Sequence, residues 1–120
     1  ITAMKREFGT ETKDLVCAIG PSICQDCYEV SEDVADAFKE AFPGHADEIL
    51  LDKKNGKYQL DLWRANEIVL TEAGVCNRYD FTRKHVTNIC TCCNPDLLFS
   101  HRASHGKRGN LGAFIYLRNA

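Results

Sequence analysis

The residue types best suited to chemistry are concentrated between Cys90 and Gly112. This stretch reads CTCCNPDLLFSHRASHGKRGNLG and holds three of the seven cysteines and two of the four histidines. Beyond position 96 there is no acidic residue, and the basic residues are Arg102, Lys107, Arg108 and Arg118. The last 24 residues therefore carry a charge of +4, while residues 1–96 carry 11 basic and 17 acidic residues, a net charge of −6. This distribution indicates a local anion site rather than a general surface for polyanions.

The glycine-rich basic loop within this stretch is the candidate for that anion site. Its glycines are Gly106, Gly109 and Gly112. Its cationic side chains are Lys107 and Arg108, and Arg102 precedes it. Glycines allow backbone N–H groups to turn towards an anion, and the cationic side chains add charge and hydrogen-bond donors. The order G-x-x-x-x-G-K-[ST] of a P-loop is absent. Judged by spacing alone, an ordinary hairpin loop with solvated charges is the more frequent structure for such a pattern.

The cysteines suggest a metal site as a second kind of chemistry. Cys24-x-x-Cys27 has the spacing of one zinc knuckle, and the Cys90-x-Cys92-Cys93 run offers further thiols for a four-cysteine site. However, CxCC differs from the usual CxxC, and about 60 residues separate the two halves, which is longer than in a zinc ribbon. Free cysteine is among the most buried residue types, so packing is the more frequent role. We therefore expect no metal ligand in this chain.

Nucleophilic catalysis is a third option, in which Cys27 or Cys90 acts as a thiolate beside His101 or His105. The pattern places no general base next to either thiol, and activation of a cysteine requires a lowered pKa. The sequence therefore supports nucleophilic catalysis less well than it supports the anion site.

The elements that must position these residues are short helices and strands. Three helices are predicted, over 1–8, 31–42 and 61–73, with Ser31 and Asp61 as N-caps and with Gly9 and Gly74 as stops. Strands are predicted over 15–19, 58–60, 86–91, 97–101 and 113–117 from their apolar or alternating runs. The order of these elements predicts an α+β class, with a mixed β-sheet flanked by helices, in a single domain over 1–120.

Composition restricts the functional classes further. The chain has 120 residues, 44% of them hydrophobic and 27% charged, and no apolar run approaches the roughly 20 residues that span a bilayer. A pI near 6.1 argues against nucleic acid as the main partner. We expect no export signal, and we therefore expect reduced cysteines, a cytoplasmic protein and no membrane association.

Several stretches together resemble the C-terminal part of the YfiH/laccase-domain family. The matching stretches are AIGPSICQDCYEV, KYQLDLWRAN, EAGV and CTCCNPDLLFSHRASHGKRGNLGAFIYL, which start at residues 18, 57, 72 and 90. They occur in the order typical of the family and cover nearly the whole chain. The resemblance implies that this chain is the C-terminal portion of a larger YfiH-like α/β sandwich.

The resemblance also implies a metal, zinc or on an older view copper, in the complete family domain. Its ligands are a cysteine and two histidines in Val-His-Gly, Ala-Asp-Cys-x-Pro and His-Ala-Gly-Trp-Arg-Gly motifs, none of which occurs here. We therefore expect the metal-binding N-terminal half of the same domain as a partner of this chain. Homo-oligomer formation is left open.

The function implied by the resemblance is purine nucleoside phosphorolysis, which converts adenosine or inosine and phosphate into ribose 1-phosphate and free base. Adenosine deaminase and methylthioadenosine phosphorylase activities are implied as well. Arg102 matches the family pattern, so we expect it to be catalytic and, with Lys107 and Arg108, to bind phosphate or nucleoside. The chain alone is expected to be inactive. A non-enzymatic zinc-stabilised cysteine module and a copper polyphenol oxidase are the alternatives.

Three positions depart from the family pattern. Asp26 replaces the first cysteine of a Cys-Cys-Tyr-Glu-Val stretch, Gln59 stands where relatives often have histidine, and His101 stands where tyrosine is usual. We expect the first two to be tolerated variation near the core.

Overall fold

The computed structural model describes residues 1–75 and 87–116. Four helices and three strands occur in this part of the chain. They are α1 (Thr2–Phe8), β1 (Glu29–Ser31), α2 (Glu32–Ala41), α3 (Ala46–Ile49), β2 (Leu50–Asp52), β3 (Lys57–Leu60) and α4 (Leu62–Glu72). Two short 3-10 turns, Thr12–Asp14 and Gln25–Cys27, precede β1. The predicted α+β class is confirmed.

Three of the four described helices lie where local sequence signals predict them, and the short helix α3 was not predicted. Gly9 follows α1 with a φ of 64°, in the left-handed region that glycine adopts without strain. Asp61 caps α4, because its side chain accepts a hydrogen bond of 2.9 Å from the backbone N–H of Arg64. Ser31 is the N-cap of α2 as predicted, although its hydroxyl donates to the Asp33 carboxylate instead of capping the backbone.

The sheet is small and antiparallel, with the strand order β1-β3-β2. Val30 of β1 lies opposite Tyr58 of β3, and Asp52 of β2 lies opposite the same tyrosine on the other side. The parallel component of the predicted mixed sheet is confined, in the described ranges, to an isolated bridge between Ser22 and Cys90.

The core lies between α2, α3 and α4. Ile49, Ala65 and Ile68 are buried together, and Phe38 and Phe42 pack against them with their rings stacked 5.7 Å apart. In α2 the buried residue is Ala35, and in α4 the buried residues are Ala65 and Ile68, whereas Val69 is 48% exposed.

Four of the five predicted strands do not form as such within the described residues. Residues 15–19 contain one bridge position, at Ile19, and residues 97–101 and 113–116 contain no strand. Residues 94–107 instead make local turns, in which Leu98 N–H donates to the carbonyl of Asn94 and Ser104 N–H to that of Ser100. A strand needs a neighbouring strand for its backbone groups, and short-range turns have already used several of them. Leu117 of the last predicted strand lies outside the described residues.

A short ladder of backbone hydrogen bonds replaces the predicted strands over 15–19 and 86–91. Thr87 N–H donates to the carbonyl of Ile19, Ser22 N–H to that of Ile89, and Thr91 N–H to that of Ser22, at 3.1–3.2 Å. Val86 lies outside the described residues. This ladder brings the segment before β1 alongside the segment that follows α4, which is how two distant cysteine-bearing turns come together.

No helix within 1–75 or 87–116 has the length and apolar character required to cross a membrane.

Candidate functional site

Four cysteines from two distant turns form a compact cluster. The Sγ atoms of Cys24, Cys27, Cys90 and Cys93 all lie within 4.8 Å of one another, and those of Cys27 and Cys93 are 3.4 Å apart. The sequence interpretation had assigned these cysteines to packing, but the structure brings them together. The signal was present in the sequence, because Cys90-Thr91-Cys92-Cys93 contains a CxxC with Cys92 as one of its two spacers.

Local backbone structure holds each pair of thiols in place. Cys24 is the N-cap of the 3-10 turn and Cys27 is its last residue, and the Cys27 N–H donates to the carbonyl of Cys24 at 3.2 Å. The thiol sulfur of Cys90 accepts hydrogen bonds from the backbone N–H groups of Cys24 at 3.3 Å and Cys93 at 3.4 Å. Asn94 closes the second turn by donating its side-chain amide to the carbonyl of Cys90 at 2.7 Å.

The thiols in the cluster differ in their acidity. Burial by itself raises the pKa of the Cys90 thiol, but the backbone N–H groups of Cys24 and Cys93 outweigh it and lower that pKa to about 6. The hydrogen bond with Cys93, together with burial, raises the pKa of the Cys27 thiol. The two backbone donors therefore favour the thiolate form of Cys90 over that of Cys27.

An open cleft of about 620 Å³ adjoins the cluster. Its walls come from the segment before β1, from the start of α4 and from the C-terminal segment. The lining residues are Ser22, Ile23, Tyr28, Leu62, Thr91, Phe99, Ser100, His101, Arg102, Arg108, Gly109, Asn110 and Leu111. Trp63 fixes one wall, because its indole N–H donates to the hydroxyl of Ser22 at 2.5 Å.

Two of the three predicted substrate-binding cations line this cleft. The guanidinium of Arg102 lies 5.5 Å from the centre of the Tyr28 ring and donates to the carbonyl of Glu29 at 3.2 Å. Arg108 donates to the side chain of Asn110 at 2.5 Å and to the carbonyl of Gly109 at 3.2 Å. Lys107 is exposed and does not line the cleft. Arg102 and Arg108 therefore place positive charge beside the aromatic rings of Tyr28 and Phe99.

The glycine-rich loop is built differently from the predicted anion cradle. Gly106 has a φ of 86°, but its backbone N–H donates to the carbonyl of His101 at 2.9 Å. The N–H of Lys107 donates in the same way to the carbonyl of Ser104 at 3.1 Å. These two N–H groups form hydrogen bonds within the turn and are not directed at an anion. The positive charge in the cleft therefore comes from arginine side chains.

The hydrogen bonds described for Cys27 and Cys90 do not support the proposed cysteine–histidine pair. The sulfur of Cys27 contacts that of Cys93, and the sulfur of Cys90 contacts two backbone N–H groups. His101 lines the cleft instead, next to Arg102.

Two positions that depart from the family pattern contact each other. The side-chain amide of Gln59 donates to the backbone carbonyl of Asp26 at 3.2 Å, and Gln25 donates to the backbone carbonyl of Gln59 at 3.5 Å. Gln59 is half-buried on β3. These bonds join the first cysteine turn to the sheet.

Comparison with known proteins supplies the family. A sequence model described as multi-copper polyphenol oxidoreductase laccase matches residues 1–118. The chain belongs to this family. The laccase-family match extends over both cysteine turns and over the residues that line the cleft.

Relatives in this family carry names from nucleoside metabolism. The chain is 35% identical over 112 residues to purine nucleoside phosphorylase YlmD of Bacillus subtilis, covering 93% of this chain and 38% of the relative. It is 37% identical over 108 residues to adenosine deaminase RL5 of an unknown prokaryotic organism, covering 90% and 40%. The crystal structure of YlmD from Geobacillus stearothermophilus superimposes with a TM-score of 0.77 at 33% identity, covering 90% and 38%. The chain thus spans less than half the length of these laccase-family relatives.

The donor set does not fit the copper centres that the family description implies. Within the described ranges, the group of Cys, His, Asp or Glu side chains close enough to share a metal consists of the four clustered cysteines. Blue-copper sites combine two histidines with one cysteine, whereas an all-thiolate set suits zinc, copper(I) or iron–sulfur centres. We therefore assign no copper-dependent step to this chain.

Proposed function

We propose that the protein is a purine nucleoside phosphorylase, in which this chain supplies part of the substrate cleft. The observation that carries the proposal is the cleft itself, where the guanidinium groups of Arg102 and Arg108 lie beside the aromatic side chains of Tyr28 and Phe99. Guanidinium groups bind phosphate oxygens, and aromatic rings stack on purine bases. The names of several laccase-family relatives support the same reaction class.

The proposed reaction breaks the glycosidic bond between ribose C1′ and the purine nitrogen. A phosphate oxygen forms the new bond to C1′, and the base leaves with the bonding electron pair. The proton that hydrogen phosphate loses balances the charge on the departing base. Arg102 holds the phosphate and stabilises negative charge next to the electron-poor ribose, which is the kind of electrostatic assistance that fixed donors provide.

The remaining part of the active site comes, on this proposal, from the N-terminal half of the same domain. Exposed apolar side chains in the last described segment support this arrangement, since Phe114 is 96% exposed and Ile115 is 89% exposed. Neighbouring exposed apolar side chains of this size mark a surface that another polypeptide segment covers. By resemblance, that half carries the catalytic metal.

The test is an assay of the protein expressed from its complete natural reading frame, with inosine and adenosine as substrates. Formation of ribose 1-phosphate and free base only when phosphate is added supports phosphorolysis. Release of ammonia from adenosine without phosphate would instead indicate deamination, the activity in the name of one relative. Oxygen consumption with a phenol and no reaction with either nucleoside would sink the proposal in favour of an oxidase.

A further inference from the structure

We propose that Cys24, Cys27, Cys90 and Cys93 form a structural tetrathiolate zinc site. The site is independent of the phosphorylase proposal, and it differs from the cysteine–histidine metal site that the family resemblance implies, whose motifs do not occur in this sequence.

The spacing of the sulfur atoms fits a zinc tetrahedron. Zn–S bonds are about 2.3 Å long, so the ligand atoms of a regular tetrahedron lie about 3.8 Å apart. The four Sγ atoms lie within 4.8 Å of one another, and those of Cys27 and Cys93 are 3.4 Å apart. These distances bracket the value for bound zinc, so small rotations about side-chain bonds suffice to place four thiolates around one ion.

The backbone is arranged as it is around bound thiolates. Each pair of ligands belongs to a CxxC turn, and the two turns meet through the hydrogen bonds between residues 22 and 89–91. Backbone N–H groups of Cys24 and Cys93 point at the sulfur of Cys90. Donors of this kind orient a metal-bound thiolate and stabilise its charge. Packing of neutral thiols alone would not require two backbone donors on one sulfur.

The composition and burial of the cluster favour a closed structural site. All four donors are sulfur, which is the ligand set of structural zinc and leaves no coordination position for substrate. Cys90 is buried, Cys24 and Cys27 are half-buried, and Cys93 is exposed, so an ion can enter from the side of Cys93. Cys17 and Cys92 are half-buried cysteines outside the cluster.

The role of the ion would be to hold two walls of the cleft together. Ser22 and Ile23 precede the first turn, and Thr91 lies inside the second, and all three line the cleft. The segment from 87 to 116 contains no helix or strand among its residues. Its attachment to the sheet therefore relies on a few hydrogen bonds, and a zinc cross-link would add a strong non-local restraint.

The experiment uses the protein from its complete natural reading frame, purified with reductant and desalted without added metal. Zinc per chain is measured by plasma mass spectrometry for the wild type, for C27S and C93S, and for the matched controls C92S and C17S. We expect each ligand variant to contain one zinc per chain less than the wild type, and both controls to match the wild type. Comparing these differences removes the contribution of any metal site elsewhere in the protein.

A second measurement remains decisive if the serine variants do not fold. Cysteine alkylation of the wild-type protein is mapped by peptide mass spectrometry before and after a strong chelator is added. Protection of the four cluster cysteines that is lost on chelation, with Cys92 and Cys17 unchanged, supports the site. Equal labelling with and without chelator, a Cys27–Cys93 disulfide in the reduced preparation, or iron in place of zinc would overturn it. If the wild-type protein contains this zinc but does not phosphorolyse nucleosides, the result counts against the proposed function alone.

Discussion

The Sγ atoms of Cys27 and Cys93 lie 3.4 Å apart although the two cysteines are 66 positions apart in the sequence. One belongs to the turn before β1 and the other to the turn that follows the parallel bridge at Cys90. The same bridge places Thr91 and Ser22 on the wall of the cleft that Arg102 and Arg108 line. The cysteine cluster and the candidate substrate cleft thus both depend on the same contact between two distant segments of the chain.

Replacing Arg102 by alanine should impair phosphorolysis in the protein from its complete reading frame. A hydrogen bond between charged groups contributes about 1.5–3 kcal/mol, so we expect kcat/KM to fall about 10- to 100-fold, with the KM for phosphate raised or kcat lowered. Steady-state kinetics with varied phosphate measures this effect. The control is R6A, because Arg6 is exposed on α1 and pairs with its neighbour Glu7. Equal kinetic constants for R102A and R6A would show that Arg102 does not contribute to substrate binding or catalysis.

The chain of residues 1–120 by itself should not phosphorolyse inosine, because the proposed metal-bearing side of the site lies elsewhere in the domain. Circular dichroism is recorded alongside the assay, so that absence of turnover is interpreted only for folded protein. Turnover by this chain alone would show that it contains all the catalytic groups, and that our placement of the metal-bearing half is wrong.

Ile68→Ala should destabilise the core strongly. Ile68 is 2% exposed and packs with Ile49 and Ala65, and removing a buried isoleucine side chain costs about 2–5 kcal/mol. Its neighbour Val69 is 48% exposed, so V69A should change the free energy of unfolding by less than about 1 kcal/mol. Urea denaturation of the two variants measures the contrast. Similar losses for both would mean that the side chain of Val69 is buried in the core to the same extent as that of Ile68.

Arg64→Gln should raise the pKa of Glu48. Hydrogen bonds from His45 and from Arg64 hold the pKa of that carboxyl below its ordinary value of 4.5. Because the folded-state pKa is the lower one, the interaction stabilises the fold above about pH 4.5 and is lost as the pH falls through the folded-state pKa. Carboxyl NMR titration should therefore show a higher pKa for Glu48 in R64Q, and an unchanged one in the control R6Q. A Glu48 pKa that is unaffected in R64Q would contradict the described ion pair.

Local signals in the sequence were enough to predict three of the four described helices. Gly9, Ser31, Asp61 and Gly74 mark helix ends, because capping and left-handed backbone conformations depend on the few residues around each position. The α+β class and the family resemblance also followed from sequence. The predicted strands over 97–101 and 113–117 were less reliable, since an apolar run becomes a strand only when another strand lies beside it.

The sequence by itself determined which residue types were present and how the helices are bounded: four cysteines in two CxxC turns, and a basic segment free of acidic residues. Only the tertiary structure decided that the two turns meet, that Cys92 stays outside the cluster and that Lys107 stays outside the cleft. The physical reason is that helix caps are local, whereas a thiol cluster and a cleft require contacts between segments far apart in the chain. The entropy lost in closing such a loop is offset only by the complete set of packing and hydrogen-bonding interactions in the folded domain.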